Sequence, residues 1–339
     1  MSAGLASAVA GGAAASAAGV ALPWLLGALG AASLLALCGL RLAVADYVRK
    51  AGQVVAGFSV GLFFTPEVGA RVLELGWAMV ASGLCSILAS VAISLVFARA
   101  GGCDRGTAYF AMLPGGMAEM AGLARQFDAN VTLVSLSQML RVVVIVLTVP
   151  AVLLQVFAAD AHTSGLVRPE MDWGTALLGM GAAAALSWML QRLRVFNAWL
   201  LGGLALGIAL GMLQPDHLYA PHLTRVFAQV AIGAALGARF ELSVLRKMRV
   251  RFLPITILAT LLLIGVNLLL AMAFGGELAV AAGMLATAPG GIAEMSLMAE
   301  ALHLSPPIVT AWQLVRILLV AVLAGPLYKI YQVTLPRMA

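Results

Sequence analysis

The sequence predicts an all-α polytopic membrane protein, built from two tandem homologous repeats with about 10 to 12 membrane segments in all. Three observations carry that prediction. Of the 339 residues 63% are hydrophobic and only 10% charged, with mean hydropathy +1.04, far from the half-apolar, quarter-charged soluble average. The apolar residues fall into runs close to membrane-crossing length. Finally, the octapeptide LPGGMAEM at Leu113 to Met120 returns as APGGIAEM at Ala288 to Met295.

A hydrocarbon core about 30 Å thick takes roughly 20 apolar residues per helix. The first copy offers segments at 3–21, 22–40, 52–66, 76–98, 106–125 and 131–157, and the second at 173–191, 196–213, 226–238, 252–274, 278–300 and 306–328. The opening Ala/Gly-rich stretch lacks the basic n-region of a signal peptide and reads as a helix of the mature protein. The second segments share Trp24-Leu25-Leu26-Gly27 and Trp199-Leu200-Leu201-Gly202. The third carry Gln53 and Gln229 at their heads, candidate interhelical glue, then Gly57, Gly61, Gly233 and Gly237 at the GxxxG spacing of close helix contact. The fifth segments hold the Pro-Gly-Gly motifs. The sixth hold Gln138 with Arg141 and Gln313 with Arg316, all at a constant offset of 175 residues. The chain thus reads as one unit of about 170 residues used twice, the first copy within 1–160 and the second within 173–339.

Charge placement gives a topology. Besides Arg141 and Arg316, twelve full crossings divide the lysines and arginines evenly between the two sides, against the positive-inside expectation. If each Pro-Gly-Gly segment enters and leaves by one face, only Arg71, Arg168 and Arg225 lie opposite all the rest. Each copy then crosses an odd number of times, so the second sits inverted relative to the first. Both termini and the Arg239 to Arg251 loop are then cytoplasmic, and Arg168 is periplasmic. Fusing the first two segments of each copy gives the same parity with a weaker charge split.

The net charge of +6 resides in short loops between apolar segments, and no basic stripe or DNA-binding motif accompanies it, which argues against a nucleic-acid partner. Cys38, Cys85 and Cys103 are scattered and odd in number, which supports neither a disulfide framework nor a metal site. His162, His217, His222 and His303 lack paired-ligand spacing. No metal, cofactor or catalytic residue is expected, and no nucleophile–base pair points to an enzyme.

The candidate site is the doubled motif. Pro114-Gly115-Gly116 and Pro289-Gly290-Gly291 interrupt apolar helices, and they are expected to unwind the chain at depth and expose backbone amides and carbonyls. Lipid tolerates such backbone only where it is buried in protein or lines a cavity. The helix after each break directs the positive end of its dipole at the break. Glu119 and Glu294 follow one turn later. Gln138 with Arg141, and Gln313 with Arg316, share one face of the next helix at i, i+3. An intramembrane charge costs on the order of 2.5 to 3.5 kcal/mol on insertion scales, so these four charges imply pairing, Glu119 with Arg141 and Glu294 with Arg316, or a wet cavity serving a substrate or proton. Arginine's planar fork favours an anion.

At these PGG(M/I)AEM motifs and their downstream Gln-x-x-Arg, the sequence resembles the AbrB family of bacterial inner-membrane proteins, which is unrelated to the soluble DNA-binding regulator of that name. The resemblance covers nearly the full chain. Members are labelled regulators of gene expression or putative ammonia monooxygenases; the oxygenase label conflicts with the dispersed histidines, since a copper enzyme needs clustered ligands. The family is similar at superfamily level to cation:proton antiporters and bile-acid-type anion symporters, whose broken helices cross the membrane. That resemblance implies that the Pro-Gly-Gly segments cross rather than re-enter. Two functions follow as expectations: a multi-pass inner-membrane secondary transporter of a small, anionic solute, or a membrane-embedded regulatory protein acting indirectly on gene expression. The lipid bilayer is the first partner, and a homodimer is the candidate assembly.

Overall fold

The structure, a computed structural model, describes residues 2–20, 22–40, 44–156, 170–213, 219–239, 251–275, 278 and 280–334. Arg168, His162, His217 and most of the Arg239 to Arg251 loop lie outside the described residues. The described residues form helices joined by short turns, with a single isolated β-bridge between Glu170 and Tyr219. In the first copy these are α1 (Ser2–Ala17), α2 (Pro23–Leu37), α3 (Asp46–Gly61), α4 (Pro66–Glu74), α5 (Gly76–Gly101), α6 (Arg105–Met112), α7 (Met117–Gln126) and α8 (Val131–Val156). In the second they are α9 (Trp173–Arg192), α10 (Ala198–Leu213), α11 (His222–Gly237), α12 (Phe252–Phe274), α13 (Val280–Thr287), α14 (Ile292–Ala301) and α15 (Pro306–Thr334).

Every apolar segment read from the sequence holds a helix, and each fifth segment holds two, split at its Pro-Gly-Gly. Among the described residues five helices are long and apolar enough to cross a membrane: Gly76–Gly101, Val131–Leu153, Trp173–Arg192, Phe252–Phe274 and Pro306–Val333. The chain is a multi-pass membrane protein. The short helix α4 falls between expected segments; none of its residues is buried. Ahead of α9, Asp172 accepts the Thr175 amide at 2.8 Å as an N-cap, and this bond holds its carboxyl below the usual carboxylate range.

The chain folds into two compact units that do not coincide with the repeats. Unit 1 is Met1–Leu73, Val152–Arg246 and Ala293–Thr310, and unit 2 is Glu74–Ala151, Lys247–Ile292 and Ala311–Ala339. Each unit takes pieces of both copies, and these match except at residues 293–310, which lie in unit 1 while their counterparts 118–135 lie in unit 2. In unit 1 the copies exchange helices, α3 packing on α10 and α11 on α2. Glycine makes this possible. A Cβ on Gly57 would lie 2.2 Å from the Leu200 carbonyl oxygen, and one on its counterpart Gly233 would lie 2.5 Å from that of Leu25. The backbones touch, as the GxxxG spacing requires.

Gly57→Val and Gly233→Val are therefore expected to force these pairs apart at a cost of about 1 to 3 kcal/mol or more each. Gly30→Ala, which meets open space on α2, is the matched control. Melting temperatures in detergent check this, and a wild-type value for Gly57→Val contradicts the contact.

Unit 2 is tied by polar groups that lipid could not satisfy. Ser86 donates to Asn267 Oδ1 at 3.0 Å, Thr287 to the Asn267 carbonyl at 2.8 Å, and the Trp312 indole to Ser82 at 2.7 Å. Helices α5, α12, α13 and α15 are joined through these bonds, all of them buried.

Candidate functional site

The first Pro-Gly-Gly segment doubles back on itself. Asp104 caps α6, accepting the Thr107 amide at 2.8 Å and its hydroxyl at 2.6 Å. The Thr107 oxygen in turn accepts the Asn130 amide at 2.8 Å, while Phe110 and Phe127 stack with centroids 5.8 Å apart. A continuous helix would separate residues 107 and 130 by about 35 Å. Helices α6 and α7 are thus the arms of a hairpin whose ends meet, with the break at its tip. This corrects the full crossing that the superfamily resemblance implies for this segment.

The break is a proline-centred γ-turn. The Gly115 amide donates to the Leu113 carbonyl at 2.8 Å, and the Gly290 amide to the Ala288 carbonyl at the same distance. Proline's fixed φ suits the central position of such a turn. Both segments end in the same Schellman closure: Ala129 N–H to Ala124 O and Leu304 N–H to Ala299 O, both 2.8 Å. The residues before these donors, Asp128 and His303, are left-handed, with φ of 54° and 55°.

A helix that stops at proline leaves its last carbonyls without amide partners. Gln138 and Arg141 on α8 supply the missing donors. Gln138 Nε2 donates to the carbonyls of Phe110 at 2.8 Å and Leu113 at 3.0 Å. Arg141 Nη1 donates to Leu113 at 2.8 Å, and Nη2 to Gly115 at 3.3 Å and to Gln138 Oε1. The second copy repeats the clamp. Gln313 Nε2 donates to the carbonyls of Leu285 at 2.8 Å and Ala288 at 2.9 Å, and Arg316 to those of Thr287 at 3.2 Å, Ala288 and Gly290 at 3.2 Å. All four side chains are at most 2% exposed. Arg141 and Arg316 also lie within electrostatic reach of one another, so both breaks come together inside unit 2.

Two expectations change. The break carbonyls are not exposed, because the Gln-Arg pairs occupy them. Nor do the arginines pair with the glutamates as expected: among the described ion pairs neither Arg141 nor Arg316 meets a carboxylate. Backbone dipoles, each drawn to a fork of N–H donors, take the carboxylate's place. Gln138, Arg141, Gln313 and Arg316 act as positioning residues for the tips.

Glu119 and Glu294, both partly buried, occupy the third helical position after their breaks. The Glu119 carboxylate folds back onto the Gly116 amide, the reach-back half of a capping box. Its Oε2 is buried with no hydrogen-bond partner. Gly116 leaves room for this: a Cβ there would meet the carboxyl at 3.2 Å. Glu294, in unit 1, keeps different company, within electrostatic reach of Arg239 and Arg49. Pro114, Gly115, Pro289, Gly290 and Gly291 form the tips themselves.

Sequence reasoning missed the buried Glu300, which Arg225 contacts at 3.3 Å. A comparison of the copies passes over it, because its counterpart is Arg125.

This architecture defines a multi-pass membrane protein with duplicated, side-chain-clamped Pro-Gly-Gly breaks. The profile of the family described as "Transition state regulatory protein AbrB" matches residues 24–332, and the chain belongs to that family. It is 27% identical to "Uncharacterized protein YhjN" of Bacillus subtilis (strain 168), over 96% of this chain and 91% of the relative. It is 24% identical to "Putative regulator AbrB" of Escherichia coli (strain K12), over 89% and 87% of the two chains.

Proposed function

We propose that this chain is a secondary transporter of a small anionic solute in a bacterial inner membrane, with its site at the two Pro-Gly-Gly tips. The single observation that carries the reading is the clamp. With the carbonyls occupied by Gln138, Arg141, Gln313 and Arg316, the first turns of α7 and α14 offer their positive dipole ends, which suit an anion and repel a cation. One carboxylate per copy, Glu119 or Glu294, stands beside each tip as the group that exchanges a proton. The chemistry these groups offer is binding and proton exchange, which suits translocation.

The hairpin geometry of α6 and α7 supports entry and exit by one face. That leaves an odd number of crossings per copy and an inverted second copy, with both termini cytoplasmic. A homodimer in the bilayer, with no nucleic-acid partner and no cofactor, is the assembly we propose. A second reading, a membrane-embedded protein that changes gene expression indirectly without transport, draws on the name of the Escherichia coli relative, a putative regulator.

A thermal-shift screen of the purified protein against small carboxylates and inorganic anions, with matched cations and polyols as controls, tests the transporter reading. A melting temperature that rises with the concentration of one anion supports it. Stabilisation by cations alone contradicts it.

A further inference from the structure

Among the described residues, Arg225 is the centre of an ion-pair cluster that only the second copy of the repeat shows. Its Nη1 donates to Glu300 Oε1 at 3.3 Å and its Nη2 to Glu170 Oε1 at 3.4 Å. Its Nε is fixed on the Ala220 carbonyl at 3.0 Å, and the guanidinium lies over the Tyr219 ring at 5.1 Å. Glu170 also accepts the His222 amide at 3.2 Å. Glu300, in the last turn of α14, is 7% exposed, and its Oε2 meets no hydrogen-bond partner. Every member of the cluster belongs to unit 1.

The repeat shows what is particular here. At the offsets that align the copies, Arg225 corresponds to Arg49 and Glu300 to Arg125. Arg49 bonds Asp46 at 2.6 Å and Gln53 at 3.3 Å, both on its own helix, and Arg125 places a positive charge where Glu300 is negative. Bonds common to both copies, such as the Gln-Arg clamps, serve the shared fold. A buried carboxylate held across elements in one copy alone gives the two halves different properties.

A buried anionic oxygen without a partner is costly, and it is relieved by a hydrogen-bond donor or by a proton. No donor reaches Oε2. Meanwhile Arg225 is shared by two carboxylates at the long end of hydrogen-bond range, so the loss of charge at Glu300 leaves it with Glu170. We propose that Glu300 is a proton-binding site: a proton taken from solution onto Oε2 makes a neutral carboxylic acid, Arg225 shifts onto the still-ionised Glu170, and the end of α14 is freed from α11. Among the described residues, the titratable and charged groups on the surrounding elements are Arg225 and His222 of α11, Glu170 and Tyr219 in the segments beside it, and His303 in the turn that follows. The assignment deepens the transport reading by naming a site for a coupling proton, and it rests on that reading for its purpose.

The test is hydrogen–deuterium exchange of the α14 amides in the purified, full-length, substrate-free protein, corrected for the intrinsic pH dependence of exchange. Wild-type α14 is expected to lose protection on acidification, by up to about tenfold per pH unit, the limit for one linked proton. Glu300→Gln is expected to show low protection at every pH, with the rest of unit 1 unchanged, while His222→Gln and His303→Gln keep the wild-type profile. Glu170→Gln, at a half-exposed position, removes the alternative acceptor and is expected to move the loss of protection to lower pH. A pH-independent wild type, an unshifted Glu170→Gln, or a Glu300→Gln protein that keeps the wild-type profile overturns the proposal. If Glu300→Gln loses protection throughout, the Glu170→Gln shift decides. Because no substrate is present, a failed transport assay and a failed proton site remain distinguishable.

Discussion

Arg141→Ala and Arg316→Ala are expected to destabilise the protein more than any other single change in the Pro-Gly-Gly breaks. Each removes the donors of one set of buried and part-buried carbonyls: Arg141 serves Met112, Leu113 and Gly115 in the first copy, and Arg316 serves Thr287, Ala288 and Gly290 in the second. A buried acceptor left unsatisfied costs about 1 to 3 kcal/mol, and the hydrocarbon core holds no water to replace the donor. A loss on the order of 3 to 5 kcal/mol follows for each variant. Lysine rescues only in part, because a point charge cannot reproduce a planar fork aimed at carbonyls on both sides of the turn. Melting temperature in detergent, read beside exchange at residues 105–126, checks the first of these. An Arg141→Ala protein that melts with the wild type contradicts the clamp.

Glu119→Gln and Glu294→Gln are expected to do the opposite, abolishing proton-coupled movement while leaving the fold intact. Glutamine keeps an oxygen for the Gly116 amide that Glu119 bonds, and neither glutamate neutralises a clamp arginine, so removing the charge strands no partner there. The stability change should be about 1 kcal/mol or less. What disappears is the carboxyl proposed to exchange a proton at each tip. Had the glutamates been salt-bridged to Arg141 and Arg316, all four substitutions would unfold the chain alike. The geometry separates them into two stable and two unstable variants. Equal loss of melting temperature in Glu119→Gln and Arg141→Ala sinks that separation.

Much of the fold was legible because the chain states it twice. The constant offset between Pro114 and Pro289, and between Arg141 and Arg316, located the breaks and the helices around them, and the structure repeats the γ-turn and the Schellman closure at the same offset. The glycine spacing at Gly57 and Gly233 announced backbone contact, but not the partner. Helices that are apolar on every face carry no stripe to say which neighbour they meet, so the exchange of α2 and α3 with α11 and α10 between copies left no mark in the sequence. The arginines misled for a related reason. Spacing shows which side chains share a helix face, and a charge invites pairing with an opposite charge, whereas backbone carbonyls freed by a distant proline are acceptors that no residue letter records. Glu300 escaped because repeats draw attention to what recurs, and its interest lies in what does not.

Proton flux into proteoliposomes tests the central claim most directly. Vesicles holding the purified protein and an internal pH dye are given, one at a time, the anions selected by thermal shift. The account predicts that at least one anion drives internal acidification well above protein-free vesicles, and that Glu119→Gln and Glu294→Gln, reconstituted at equal folded amounts, abolish it. Anion-independent flux, or an anion-driven flux that survives both substitutions, would contradict the assignment of the tips as a proton-coupled anion site.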